Sequence, residues 1–152
     1  MRLTVETDIA APPEIAFATA IDIERWPQFI RGISRIEILG DGRIRLGASF
    51  RETRIMFGRE AVEQMTISEL APPRAFVLTA DNHGTHFRAE HIFESVSGGT
   101  RLRLDFHGQP QTWLARLTYP LGLMMSRHVR KQLQIDLDDV KREAERRAAL
   151  LA

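Results

Sequence analysis

From Ser34 to Gly108 the chain is cut every few residues by glycine or proline, at Gly40-Asp41-Gly42, Gly47, Phe57-Gly58, Ala71-Pro72-Pro73, Asn82-His83-Gly84 and Ser97-Gly98-Gly99-Thr100. Helices of ordinary length do not survive such punctuation, whereas tight hairpins depend on it, because their turns need residues that accept positive φ. Between the cuts apolar and polar residues alternate. This half of the chain therefore reads as a meander of about six antiparallel strands with one face toward a core.

Turn chemistry predicts the pairings. A two-residue Gly98-Gly99 loop sets Phe93 opposite Leu104, His91 opposite Phe106 and Ser95 opposite Leu102 on a mainly apolar face. It sets Glu94 opposite Arg103, and Glu90 opposite His107, on the wet one. A His83-Gly84 loop continues the apolar face by pairing Ala80 with Phe87, Leu78 with Ala89 and Phe76 with His91. A Phe57-Gly58 loop pairs Phe50 with Met65 and Ala48 with Ile67, and sets Glu52 opposite Glu63 with Arg54 beside them on that same face. This last register is the most sensitive, since a slip of one residue turns every side chain to the other side.

The flanks differ. Leu3, Val5, Thr7 and Ile9 share a two-residue period, so residues 2–10 read as a first strand that Ala11-Pro12-Pro13 ends. Residues 13–21 have helical spacing with proline in the first turn. A second short helix is expected from Asp22, capped by that side chain, limited by Pro27 and anchored by Trp26, Phe29 and Ile30. After Gly108 the pattern is helical again, with a break or kink expected at Pro120. Beyond it Met125, Val129, Leu133, Leu137, Val140 and Ala144 form one stripe of an amphipathic helix of about 25 residues. Ala148 to Ala152 is expected to fray. The expected fold is α+β in a single domain over residues 1–152: a curved antiparallel sheet of about seven strands, two short helices after the first strand, and a long C-terminal helix lying across the sheet.

Composition narrows the function classes. Lys plus Arg number 21 against 20 Asp plus Glu, a net charge of +1, which gives no general electrostatic reason to bind nucleic acid. There is no cysteine, so disulfides, thiolate metal sites and thiol nucleophiles are excluded. No phosphate loop, nucleophile elbow or dinucleotide fingerprint is present. The apolar stretch from Trp113 to Met125 is interrupted by Arg116, Pro120 and Gly122 and is too short to span a bilayer. The N-terminus lacks the basic and then continuously apolar pattern of a signal peptide, so a cytoplasmic protein without a membrane span is expected.

The order of elements, with Ile9-Ala10-Ala11-Pro12-Pro13-Glu14-Ile15-Ala16-Phe17 leading to Asp22 and Trp26-Pro27, resembles the helix-grip START-like or SRPBCC superfamily, especially its polyketide cyclase/dehydrase-like branch. Gly47-Ala48-Ser49-Phe50, Glu69-Leu70-Ala71-Pro72-Pro73-Arg74, Gly98-Gly99-Thr100-Arg101-Leu102 and Leu137-Asp138-Asp139-Val140-Lys141-Arg142-Glu143 carry the same resemblance over nearly the whole chain. It implies an apolar pocket between sheet and long helix that holds lipids, polyketides or other apolar ligands, and it brings no catalytic signature with it.

On the expected face Phe50, Met65, Phe76, Leu78, Phe93, Leu104 and Phe106 would line the pocket, with His91 and Arg54 as its polar groups. Tyr119, Met124 and His128 would border its mouth near the helix kink, together with Trp113 and Met125. Glu52, Arg54 and Glu63 form either an inward polar cluster or a solvated charge group. His83 and His86 with Asp81 have the chemistry of metal ligands, but the hairpin makes His86 and Asp81 a surface pair, and neither metal nor cofactor is expected. The leading expectation is a cofactor-free binder of an apolar or aromatic small molecule, lipid or polyketide-like. The alternatives are a polyketide cyclase or dehydratase with His91 as proton shuttle, and a protein-interaction module with a closed cavity. Arg116, Arg127, Arg130 and Lys131 beside the apolar tract also allow transient contact with a membrane surface. Oligomeric state is not legible.

Overall fold

A computed structural model describes residues 1–152. Strand β1 (Arg2–Ile9) leads to helix α1 (Pro13–Ala20), a 3-10 turn at Ile23–Arg25 and the single-turn helix α2 (Trp26–Phe29). Six strands follow: β2 (Ile33–Ile38), β3 (Ser49–Met56), β4 (Arg59–Ala71), β5 (Ala75–Asn82), β6 (Thr85–Val96) and β7 (Gly99–Pro110). Helices α3 (Trp113–Met124) and α4 (Ser126–Leu151) complete the chain. The seven strands form one antiparallel sheet in the order β1-β7-β6-β5-β4-β3-β2, so β1 and β2 are its edges.

Two hairpins have the expected register. Phe57 and Gly58 both adopt positive φ, as do His83 and Gly84, the geometry that matches the twist of paired strands. Phe50 faces Met65 and Glu52 faces Glu63, while Phe76 faces His91 and Ala80 faces Phe87. The β6–β7 hairpin turns one residue earlier, at Ser97-Gly98, so Phe93 meets Leu102, His91 meets Leu104, Ser95 meets Thr100 and Glu94 meets Arg101. Glu90 lies opposite Asp105, and His107 opposite Arg88, so the expected His107–Glu90 pair does not form. The reason is a distant contact: a Cβ on Gly99 would lie 2.0 Å from the Ile9 carbonyl oxygen, so Gly99 belongs in the ladder beside β1. Because the pairing shifts by two residues, every side chain keeps its expected face.

The flanking elements bring further corrections. Asp22 does not cap the turn after it; its carboxylate binds Arg25 and, across the molecule, Arg147. Pro27 occupies the first turn of α2, where its missing N–H costs nothing. Pro120 lies inside α3, and the helix break falls five residues later at Met125. The last helix does not fray after Arg147 but continues to Leu151.

Helix α4 crosses the concave face and holds both edges of the sheet. Toward β1, Arg130, Gln134 and Lys141 donate to the backbone carbonyls of Thr4, Glu6 and Asp8, and Glu145 accepts the amide of Ala10. These are the backbone groups an edge strand leaves unpaired. Toward the opposite edge, the buried Asp139 accepts from the amide and guanidinium of Arg31. Leu137, Val140 and Ala144 bury the apolar stripe against Val5, Phe17, Ile33, Phe50 and Phe76. Phe17 packs edge-on against Phe76 and Phe93, and Trp26 against Phe50. The core thus fills the half of the concave face nearest α1 and α2.

Candidate functional site

Phe50, Phe76, Leu78, Phe93 and Leu104, expected to line a pocket, are buried in the packed half, where neighbouring side chains cover them. The inner-face residues further along the same strands differ. Met65, Ala80, Phe87, Ala89 and Phe106 remain partly exposed although the strand alternation aims them at the concave side. Phe87 stacks on Phe106 at 5.6 Å, and Gly108 leaves room for it, since a Cβ there would stand 2.9 Å from the Phe87 ring. These residues would wall an apolar cleft beside the packed core, against which Met65 and Ala89 also pack; two open hollows of the surface lie elsewhere, one between Phe29, Arg31 and Asp139 and the other between Pro12, Val96 and Gly99.

The rim of the cleft is built from three places. The N-terminus of α3, capped by Thr112, rests on the β5–β6 turn, where Gln111 donates to the carbonyl of Gly84. Tyr119 turns its hydroxyl to the N-terminal ammonium group, which also donates to the Gly108 carbonyl. His128, at the start of α4, stacks on Phe57 of the β3–β4 turn at 4.6 Å. Met124 is exposed, as is Met125.

His91 sits where the packed half meets the cleft. Its ring stacks on Phe76 at 4.2 Å with an interplanar angle of 12°, and its Nδ1 is sealed from solvent without a hydrogen-bond partner. Burial pushes its pKa down to about 4, so the imidazole is neutral near pH 7. A buried nitrogen without a partner carries an uncompensated desolvation cost, and such exceptions need a reason.

The Glu52, Arg54 and Glu63 cluster faces inward and includes partners beyond the expected three. Arg54 donates through Nε to Glu52 at 3.1 Å and grips Asp136 of α4 with both terminal nitrogens, at 3.2 and 2.7 Å. Gln132 donates to Asp136 from one turn earlier, and Asn82 donates to Glu63 from β5. Gly32 makes space for the guanidinium, because a Cβ there would stand 2.7 Å from Arg54 Nη1. Burial raises the carboxyl pKa of Glu52, against the pull of Arg54 and with help from Asp136 and Glu63. It raises that of Asp136 in the same way. Burial alone would lower the pKa of Arg54, but Asp136 and Glu52 outweigh it and raise it. Two carboxylates, Glu52 and Asp136, thus share one guanidinium between sheet and helix, with Glu63 opposite Glu52. Asp136 was legible only as one of a polar row, Gln132, Asp136 and Asp139, at helical spacing beside the apolar stripe of α4.

The other histidine cluster is a surface feature: His86 Nδ1 lies 2.8 Å from Asp81, as the hairpin predicts.

A seven-stranded antiparallel sheet closed over a long C-terminal helix defines a helix-grip protein. The family model for polyketide cyclase / dehydrase and lipid transport matches residues 1–145, and the chain belongs to that family. Solved structures with the same fold include the di-domain aromatase/cyclase StfQ of the steffimycin biosynthetic pathway, at 15% identity and TM-score 0.80, which covers 97% of this chain and 52% of the StfQ chain. The ZhuI aromatase/cyclase from Streptomyces sp. R1128 is 18% identical with TM-score 0.71 over 97% of this chain and 94% of its own. Ara h 8.0201 is 17% identical with TM-score 0.75 over 95% and 97%. No curated protein matches the sequence at a significant level.

Proposed function

We propose that the chain binds an apolar or aromatic small molecule, of lipid or polyketide type, in the cleft walled by Met65, Ala80, Phe87, Ala89 and Phe106. The observation that carries this reading is the set of inward-facing apolar residues that stay partly exposed beside the buried core. Sites of this kind are mostly apolar with a few polar groups that set orientation. His91 supplies one such group. The ring is partly exposed although its Nδ1 is sealed, so a ligand hydroxyl would meet its accessible edge. Arg54 supplies another, because its three hydrogen bonds leave two of its five N–H donors unassigned.

Family membership favours a second reading, in which the bound chain is cyclised or dehydrated. His91 is then a weak proton carrier, because its conjugate acid at about 4 is almost unpopulated near pH 7. Glu52, whose pKa burial raises, fits the role of proton donor better.

Filling the cleft separates binding from surface adsorption. Ala89→Trp places an indole among Phe87, Phe106 and Leu78. It should lower the affinity for a fluorescent naphthalene sulfonate dye at least about tenfold while the circular dichroism spectrum is unchanged. Unaltered dye affinity in a folded Ala89→Trp protein would sink the cleft as the binding site.

A further inference from the structure

Helix α3 is amphipathic the wrong way round for a helix that packs only on its own domain. At 100° per residue Trp113, Leu114, Leu117, Leu121 and Met124 fall on one arc of about 100°, and Ala115, Tyr119 and Gly122 fall opposite. Ala115 is buried and Tyr119 partly buried, so this side faces the protein over the first two turns, while Gly122 beyond them is exposed. The large apolar side chains face outward: Trp113 is 73% exposed, Leu117 67%, Leu121 64% and Met124 79%. Phe57, also exposed, stands at the β3–β4 turn and stacks on His128, just past the end of α3. Isolated exposed apolar residues are ordinary, but a contiguous outward arc of this size marks an interaction surface.

Charge selects the partner. The 30 residues from Phe106 to Ile135 contain no Asp or Glu, although the chain has 20. The same stretch carries Arg116, Arg127, Arg130 and Lys131, and none of the four is ion-paired with a carboxylate. A second copy seated on this face by a two-fold axis would oppose the same cations to one another. An anionic lipid surface would neutralise them and accept the apolar arc at the depth of the headgroup boundary, where tryptophan is favoured.

We propose that α3 is a membrane-docking helix that lies in the surface of an anionic bilayer with Trp113, Leu117, Leu121 and Met124 inserted. It docks without spanning, since no helix of the protein is long and apolar enough to cross a membrane. The surface borders the cleft through the contact of α3 with the β5–β6 turn, and it is independent of the ligand reading: bilayer binding needs no occupied cleft.

The chain carries its own reporter. Of its two tryptophans, Trp26 is 6% exposed in the core and Trp113 is 73% exposed on α3. The full chain is titrated with vesicles of phosphatidylcholine, or of equal parts phosphatidylcholine and phosphatidylglycerol, with and without brominated acyl chains. The expected result is a blue shift and bromine quenching of Trp113 with the anionic vesicles, weakening as salt rises. Leu117→Glu/Leu121→Glu should abolish both signals with native circular dichroism, and Arg127→Glu/Lys131→Glu should reduce anionic-vesicle affinity on the order of tenfold or more. An unshifted and unquenched Trp113 overturns the proposal, as does equal binding by the Leu117→Glu/Leu121→Glu protein. So does a stable dimer, seen by analytical ultracentrifugation, that the same two substitutions dissociate and that vesicles do not disrupt.

Discussion

Arg54→Met removes the only cation that Glu52 and Asp136 share, and leaves Glu52, 7% exposed, beside two other carboxylates. Breaking a buried pair from one side typically costs about 3 to 5 kcal/mol, because the remaining charge stays out of water. A domain of this size has roughly 5 to 15 kcal/mol of stability in all, so the variant should fold with a large deficit. The deficit should depend on pH. Glu52 and Asp136 have raised pKa values because of burial, and Arg54 opposes that rise. Its loss lets both climb further. A carboxyl whose pKa is higher folded than unfolded binds extra protons in the folded state, so its contribution is fully present below the ordinary acid range of about 4 and is lost as pH rises through the raised value. Urea unfolding followed by Trp26 fluorescence should therefore show Arg54→Met furthest from the parent at pH 8 and closest to it near pH 4.5. Glu52→Gln/Arg54→Met/Asp136→Leu, which removes charge and counter-charge together, should recover most of the loss at pH 8. A deficit under about 1 kcal/mol, equal at both pH values, would mean the cluster is solvated and would refute its placement between sheet and helix.

Two further substitutions test neighbouring parts of the account. Gly99→Ala would set a methyl group 2.0 Å from the Ile9 carbonyl oxygen and 3.1 Å from the Ala11 amide nitrogen. The end of β1 has to move, at a cost of about 1 to 3 kcal/mol or more; urea unfolding that shows no loss would place the β6–β7 turn elsewhere. His91→Leu removes the orphan Nδ1, so it should raise stability by about 1 kcal/mol while ligand selectivity drops. A destabilised His91→Leu protein would show that the nitrogen is already satisfied.

The parts of the fold that local chemistry decides were legible in the sequence. Phe57-Gly58 and His83-Gly84 are each the single pair at their hairpin able to supply two positive φ values, and the register followed from them. Ser97-Gly98-Gly99 offered two loops that keep every side chain on the same face. The choice rests on the approach of Gly99 to Ile9, a contact between residues 90 positions apart in the chain. The polar cluster was half legible for the same reason: Glu52, Arg54 and Glu63 come together through one hairpin, whereas Asp136 reaches Arg54 from 82 residues away. Periodicity also cannot distinguish an apolar arc that seals a core from one that faces outward. Tyr119, Met124 and His128 lie on either side of the break at Met125 rather than at a kink at Pro120, and Met124, like Trp113, faces outward. Phe50, Phe76, Leu78, Phe93 and Leu104 lie on the expected face, and the depth at which packing stops along it depends on how α1 and α4 meet over the sheet.

Native mass spectrometry tests the central claim most directly. The protein is isolated from the cells that make it and weighed intact, then weighed again after denaturing extraction. The account predicts an apolar molecule in one-to-one ratio that leaves on unfolding and that Ala89→Trp excludes. A protein that is empty on isolation, and that also rejects a panel of lipids and polyaromatic compounds, would contradict it.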